Sequence, residues 1–211
     1  MNIVLFGKPG AGKGTQAPKI AEALEVPVLA TGNVLRAAVR DGTPMGREAK
    51  AYMDRGDLVP DDVILGIVRE ELAQPAYERG VVLDGVVRTV PQAEGLAKAL
   101  GSLGRKVDAV VSLEVPDEEI VRRMSSRTVC STCQTPYSDR PPGTICPNCG
   151  GTLARRSDDE PVAVRNRLQV FERQTAPVFD WYRRNGARLV VVDALGSVGD
   201  VTQRVLHALG R

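Results

Sequence analysis

Residues 7–15 read Gly7-Lys8-Pro9-Gly10-Ala11-Gly12-Lys13-Gly14-Thr15, directly after the apolar run Ile3-Val4-Leu5-Phe6. The order is strand, glycine-rich turn, then a segment able to form a helix. Glycines let backbone N–H groups curl around an anion, because no Cβ blocks the approach. The following helix aims its N-terminal donors and positive dipole end at the same point. Lys13 adds a mobile charge for terminal phosphates. The spacing Gly7-x4-Gly12-Lys13 is that of a P-loop and predicts a nucleoside triphosphate site. Thr15 falls one place later than the strict pattern, because Gly14 follows the lysine. A ligand-free turn would need Gly7, Gly10, Gly12, Gly14 and Lys13 to agree by accident.

Outward from this turn, apolar runs recur with helical stretches between them. After Ile3–Phe6 come Pro27–Ala30, Gly80–Asp84, Ala109–Leu113 and Leu189–Asp193. They are continuously apolar, as strands buried on both faces of a parallel sheet should be. The segments between read as helices; Ile120, Val121 and Met124 space helically after Pro116-Asp117. The alternation predicts an α/β fold, a five-stranded parallel sheet flanked by helices with right-handed crossovers. Two stretches break the rhythm. From about Thr31 to Ala73 there are helical segments and no strand, which predicts a helical insertion. From about Thr128 to Asp159 the chain turns polar and rich in proline and glycine, which predicts a small separate module. The expected division is a core of 1–30, 61–126 and 161–211, an insertion of 31–60 and a module of 127–160.

The polar module carries all four cysteines, as Cys130-x2-Cys133 and Cys146-x2-Cys149. Each pair can turn two thiolates to one ion, and two pairs complete a tetrahedral shell. Such a closed shell has no open position, so zinc here is structural and not catalytic. Two disulfides are the alternative, disfavoured in a cytoplasmic chain. The module is too small and polar for its own core, so metal should supply its folding energy.

Composition bounds the partners. The 211 residues are 43% hydrophobic and 26% charged, as in a soluble globular protein. The net charge of +2 provides no global field for nucleic acid or membrane. No targeting signal is visible, and no apolar run reaches the roughly 18 residues that span a bilayer. A cytoplasmic, monomeric protein is expected. Arginines number 22 against six lysines. This suits phosphate clamping, which the planar guanidinium fork does well.

With these parts placed, the chain resembles the adenylate kinases of the long-lid, zinc-containing bacterial type. The resemblance runs from Met1 almost to Arg211. Its motifs are Gly7 to Gln16; Thr31-Gly32-Asn33-Val34-Leu35-Arg36; Gly56-Asp57-Leu58-Val59-Pro60-Asp61; Asp84-Gly85-x-x-Arg88-Thr89-x-x-Gln92; the cysteine pairs; and Arg155-Arg156-Ser157-Asp158-Asp159 followed by Arg165-x-Arg167-Leu168. The resemblance implies a P-loop nucleoside monophosphate kinase fold. The helical insertion becomes the monophosphate-binding domain and the cysteine module a lid.

It implies roles as well. Gly10, Ala11, Gly12, Lys13, Gly14 and Thr15 would hold ATP, with Lys13 on its β- and γ-phosphates. Arg123 would flank the ATP adenine, and Arg127 would close on phosphate. Arg36 and Arg88 would hold the AMP phosphate, with Arg156 and Arg167 closing from the lid side. Thr31, Gly85, Gln92 and the backbone near Val59 would surround the AMP base. Asp84 would orient Mg²⁺ through water, because Mg²⁺ keeps much of its hydration shell. Phosphoryl transfer needs this kind of positioning and charge neutralisation.

Simpler readings stand beside these. Arg122, Arg155 and Arg165 are expected to be solvated, and His207 to lie at the surface. Asp158 and Asp159 are expected to cap the helix that Pro161 starts. Phe179, Trp181 and Tyr182 are expected to pack in the core. Two positions leave the family pattern. Val86-Val87 stands where the family usually has Phe-Pro, which predicts a trans peptide and a looser wall near the AMP base. Asn33 stands where it usually has Asp, and is expected to serve as a helix cap.

The expected reaction is MgATP + AMP ⇌ MgADP + ADP. One alternative is a kinase for another nucleoside monophosphate; Thr31 and Gln92 favour adenine. Another is a P-loop, zinc-ribbon binding protein without kinase activity. A nucleic-acid-binding ribbon carries clustered basic residues and interleaved aromatics. The segment between the cysteine pairs offers only Tyr137 and Arg140, so no nucleic-acid partner is expected.

Overall fold

The computed structural model describes residues 1–211, apart from the side chain of Ser157. Five parallel strands form the main sheet: β1 (Asn2–Phe6), β2 (Val28–Ala30), β3 (Val81–Asp84), β4 (Ala109–Glu114) and β8 (Leu189–Asp193), in the order β2-β3-β1-β4-β8. Strand β1 lies at the centre, with Ile3 opposite both Val82 and Ala109. From β1 the chain goes to the edge strand β2, returns to β3 beside β1, then crosses to β4 and β8 on the other side. This reversal leaves a crevice at the carboxyl end of β1, where the glycine-rich turn begins.

Alternation along β1 explains why its residues are all apolar. Val4 and Phe6 enter the core on one face of the sheet, while Ile3 and Leu5 enter the core on the other. Edge strand β8 departs from this. Val190 and Val192 are buried, but Val191 is 57% exposed. The continuous apolar run predicted two covered faces; at the edge, one is open.

Helix α1 (Lys13–Leu24) follows the glycine-rich turn. The predicted insertion contains α2 (Thr31–Arg40) and α3 (Pro44–Arg55), which pack on each other. Thr43 caps α3, its hydroxyl accepting from Gly46 N at 3.0 Å, with Pro44 preset in the first turn. Helix α4 (Asp61–Leu72) turns back and packs on α5 (Val90–Ser102).

Helix α6 (Asp117–Ser126) leads into the cysteine module, a small antiparallel sheet of β6 (Pro136–Tyr137), β5 (Thr128–Cys130) and β7 (Leu153–Ala154). In α6, Ile120 and Met124 are buried, whereas Val121 is 53% exposed and lies off the predicted apolar face. The return runs through α7 (Pro161–Val170), a π-helical turn at Phe171–Thr175, and α8 (Ala176–Arg184). Phe179 stands 5.4 Å from Phe6, and Trp181 meets Tyr182 edge-on at 5.1 Å, so this group packs in the core as expected. Helix α9 (Val198–Leu209) closes the fold, with His207 exposed. Among the described residues no helix is long and apolar enough to cross a membrane.

Candidate active site

Gly12 precedes α1 with φ 102°, a left-handed conformation that a side chain would oppose. No side chain caps α1 among the described residues. The start of α1 therefore has no side-chain acceptor, an arrangement that suits an anion. Lys13 curls over the turn, its Nζ donating to Gly7 O at 2.6 Å and Lys8 O at 3.0 Å. Burial pushes Lys13 down to about 8; Asp84 opposes the fall, and Arg88, Arg167 and Arg127 add to it. The displaced Thr15 has a physical reason in Gly14. A Cβ there would stand 3.3 Å from Asp84 Oδ2, so the small residue lets the carboxylate approach the turn.

A cavity of about 790 Å³ opens above this turn. It brings together all six predicted loop residues, Asp84, Gly85, Arg36, Arg88, Arg123, Arg127, Arg156 and Arg167. The remaining predicted residues, Thr31, Val59 and Gln92, line an adjoining smaller cavity, which also shares Arg36, Gly85, Arg88 and Arg167. The sequence-separated motifs therefore meet in one place.

Arg88 is held from several directions. Its N–H donates to Gln92 Oε1 at 2.7 Å, and its carbonyl accepts from Thr175 Oγ1 at 2.8 Å. Its Nε donates to Gly85 O at 3.1 Å. Burial pushes its guanidinium down to about 10, with Arg167 adding to the effect. Thr31 donates to the same Gly85 carbonyl at 3.0 Å.

The expectation about Asn33 needs correction, and that of a trans Val86-Val87 peptide holds. Helix α2 begins at Thr31, so Asn33 falls inside its first turn and does not cap it. Its Oδ1 instead accepts from Arg36 Nη2 at 2.5 Å. The Val86-Val87 peptide is trans, since no described peptide bond is cis. Val86 and Val87 are 1% and 3% exposed and belong to the core, and Val87 also lines the large cavity.

Asp158 and Asp159 also depart from expectation. Helix α7 starts at Pro161 behind Glu160, and the two carboxylates pair with arginines. Asp159 takes both Arg127, through Nε at 2.7 Å and through Nη2, and Arg167 at 3.3 Å. Asp158 accepts from Arg167 Nη1 at 3.0 Å. Burial works to raise the Asp158 carboxyl, but Arg167, Arg156, Arg36 and Arg127 outweigh it and hold it low. Arg156 is pushed down to about 9 by burial, and its Nε is buried without a partner. An unpaired buried donor in a cationic cluster is a place for an anionic ligand.

Arg123 is oriented by groups the sequence did not reveal. Its Nε donates to Glu119 at 2.7 Å and its Nη2 to Ala194 O at 2.9 Å. Arg122 and Arg123 hold Glu119 down at about 2. Ala194, Gly196 and Val198 complete that side of the cavity. Only the Ser197-x-x-Asp200 capping box hinted that a helix starts here. Arg122, Arg155 and Arg165 are exposed, as expected.

In the module, the four Sγ atoms lie within 4.8 Å of one another. Cys130 and Cys149 are 3.4 Å apart, and Cys133 and Cys146 3.7 Å. A zinc ion with four thiolates at about 2.3 Å spaces its sulfurs about 3.8 Å apart, so the arrangement suits that shell. The distances exclude disulfides, and all four cysteines are free.

The adenylate kinase family model matches residues 5–187. The chain is 58% identical over 211 residues to the adenylate kinase of Gemmatimonas aurantiaca, covering 99% of both. It is 48% identical to that of Trichlorobacter lovleyi, covering 99% of both. It is 45% identical to that of Methanosarcina barkeri, covering 99% of this chain and 98% of the relative.

Proposed function

The chain belongs to the adenylate kinase family, the ATP:AMP phosphotransferases, and from that premise we propose how its residues divide the work. The reaction is MgATP + AMP ⇌ MgADP + ADP. The observation that carries the reading is the convergence of the P-loop, Lys13 and the arginines Arg36, Arg88, Arg156 and Arg167 on one cavity. Nothing else in the fold calls for so much like charge in one place.

ATP takes the P-loop side. Backbone N–H groups of residues 10–15 cradle its phosphates, and Lys13 neutralises the β- and γ-oxygens. Arg123, braced by Glu119 and the Ala194 carbonyl, lies along the adenine. AMP takes the other side, its phosphate on Arg36 and Arg88 and its base against Thr31, Val59, Gly85 and Gln92. Arg156 and Arg167 reach the transferring phosphoryl group. Arg127 completes the phosphate cage from the module. These groups need not form or break bonds. They hold donor and acceptor in line and neutralise the charge that spreads in the transition state.

Mg²⁺ supplies charge neutralisation across the β- and γ-phosphates when bound. Asp84, a carboxylate beside the turn, is the residue to hold it through water. Residues 31–60 act as the monophosphate-binding domain and 127–160 as the lid, around a core of 1–30, 61–126 and 161–211. Their closure excludes water, which would otherwise accept the phosphoryl group. Zn²⁺ on the four cysteines folds the lid and takes no part in transfer. The protein works as a cytoplasmic monomer.

A coupled assay of ADP formation tests this, with AMP, GMP, CMP and UMP as acceptors. AMP should be preferred by a wide margin. Equal or greater turnover of another acceptor would overturn the assignment of the acceptor base.

A further inference from the structure

Gln92 is 1% exposed and carries an amide that reads the same in either of two orientations unless its neighbours choose. Here they choose. Gln92 Oε1 accepts from the backbone N–H of Arg88 at 2.7 Å, and Gln92 Nε2 donates to Asp61 Oδ1 at 2.8 Å. The other orientation would set the amide oxygen against a carboxylate and the NH₂ group against an N–H.

Asp61 is itself held as an acceptor. The Thr89 hydroxyl lies 3.0 and 3.1 Å from its two oxygens. That hydroxyl is already accepting from Gln92 N at 3.2 Å, as the cap of α5, so its proton points to Asp61. Asp61 also opens α4, where the helix dipole favours a negative charge. Gln92 and Thr89 each donate to the carboxylate, so it acts here as an acceptor.

We propose that Asp61 is a specificity-determining positioning residue: it locks the Gln92 amide in the orientation that complements adenine. The inference rests on the reading that the acceptor base meets Gln92. The locked amide offers its second N–H and its remaining oxygen lone pair. Adenine presents an acceptor at N1 and a donor at the 6-amino group, which match. Guanine and hypoxanthine present a donor at N1 and an acceptor at O6, which oppose both. A site built to hydrogen-bond one pattern rejects the inverse strongly, because its buried polar groups are left unpaired. Without Asp61 only the Arg88 N–H would still choose the orientation of Gln92, and the preference would weaken.

The discriminating substrate is inosine monophosphate, which inverts the edge of AMP without adding bulk. The measurement is kcat/KM for AMP and for inosine monophosphate in wild type, Asp61→Asn and Gln92→Leu, with KM for ATP alongside. In Asp61→Asn the AMP preference should narrow about tenfold, while KM for ATP holds. A merely structural role would lower both acceptors together and leave their ratio unchanged. That result, with the ratio lost in Gln92→Leu, would overturn the lock. A Gln92→Leu variant that keeps the full AMP preference would overturn the underlying reading, and the lock with it. Should Asp61→Asn not fold, a neutron structure of the wild type decides the point. Deuterium on Gln92 Nε2 directed at Asp61 supports the lock, and the flipped amide overturns it.

Discussion

Arg36 donates from Nε to Gln134 Oε1 at 3.2 Å, across 98 residues of chain. The arginine lies on α2. The glutamine lies in the turn of the first cysteine pair, with φ 59°. Its own NH₂ group donates to the carbonyls of Cys130 and Ser131, both at 3.1 Å. The helical insertion and the cysteine module therefore touch through a side chain braced by the cysteine turn. Gln134→Ala should favour opening by about 1 kcal/mol. Energy transfer between dyes on α3 and the module would read this. An unchanged distance distribution would count against the latch.

Lys13→Met should lower turnover about a hundredfold or more, because the lost charge acts where phosphate charge develops. Stability should not fall. Burial leaves the folded-state value near 8, below the ordinary 10.5. Below about pH 8 the folded protein therefore keeps a charge that burial disfavours. This penalty fades as pH rises from about 8 to 10.5. Lys13→Met should thus melt at the same or a higher temperature at pH 7, and ATP binding above pH 8 should take up protons. Calorimetry in two buffers of different ionisation heat measures that uptake. Near-normal turnover of the variant in stopped flow would contradict the P-loop role.

Arg88→Lys and Arg36→Lys keep the charge but lose the fork. Each should cost about 1.5–3 kcal/mol of transition-state stabilisation. For Arg88 the loss should fall on the acceptor, since its backbone stays gripped by Gln92 and Thr175. Steady-state kinetics with AMP varied at saturating ATP checks this; wild-type behaviour of Arg88→Lys would remove it from the clamp.

About one Zn²⁺ per chain is expected on Cys130, Cys133, Cys146 and Cys149. Chelation should lower Tm, chiefly by loosening the module. Elemental analysis of protein purified without chelator is the direct check. Full activity and unchanged melting of a Cys146→Ser, Cys149→Ser variant would argue that the thiolates carry no structural metal.

Restoring the aromatic and proline of the family pattern, as Val86→Phe, Val87→Pro, should destabilise this protein. Both valines are buried in a filled core. Adding a ring there should cost about 1–3 kcal/mol through overpacking. Denaturant unfolding gives the value, and a variant of equal or greater stability would show that the core has room.

Much of this was legible in the chain before any coordinates. The strand–turn–helix at Ile3 to Thr15 was readable in the sequence, because glycine spacing and helix polarity are local physics. Apolar runs pointed to the parallel sheet, since strands covered on both faces read that way. The cysteine spacing predicted the cluster in which the four Sγ atoms meet. Local pattern could not reach what depends on long-range approach. Val191 reads like its neighbours, yet it is exposed, because it points to the face of edge strand β8 that nothing covers. Asp158 and Asp159 read as caps, but a cluster of arginines from distant segments claimed them. Asn33 reads as a cap as well, and became a brace for Arg36 because α2 starts two residues earlier. Asp61 stood in a motif, but no sequence signal assigned it a role. Its role arises only because α4 and α5 meet, setting a carboxylate against an amide 31 residues away in the chain.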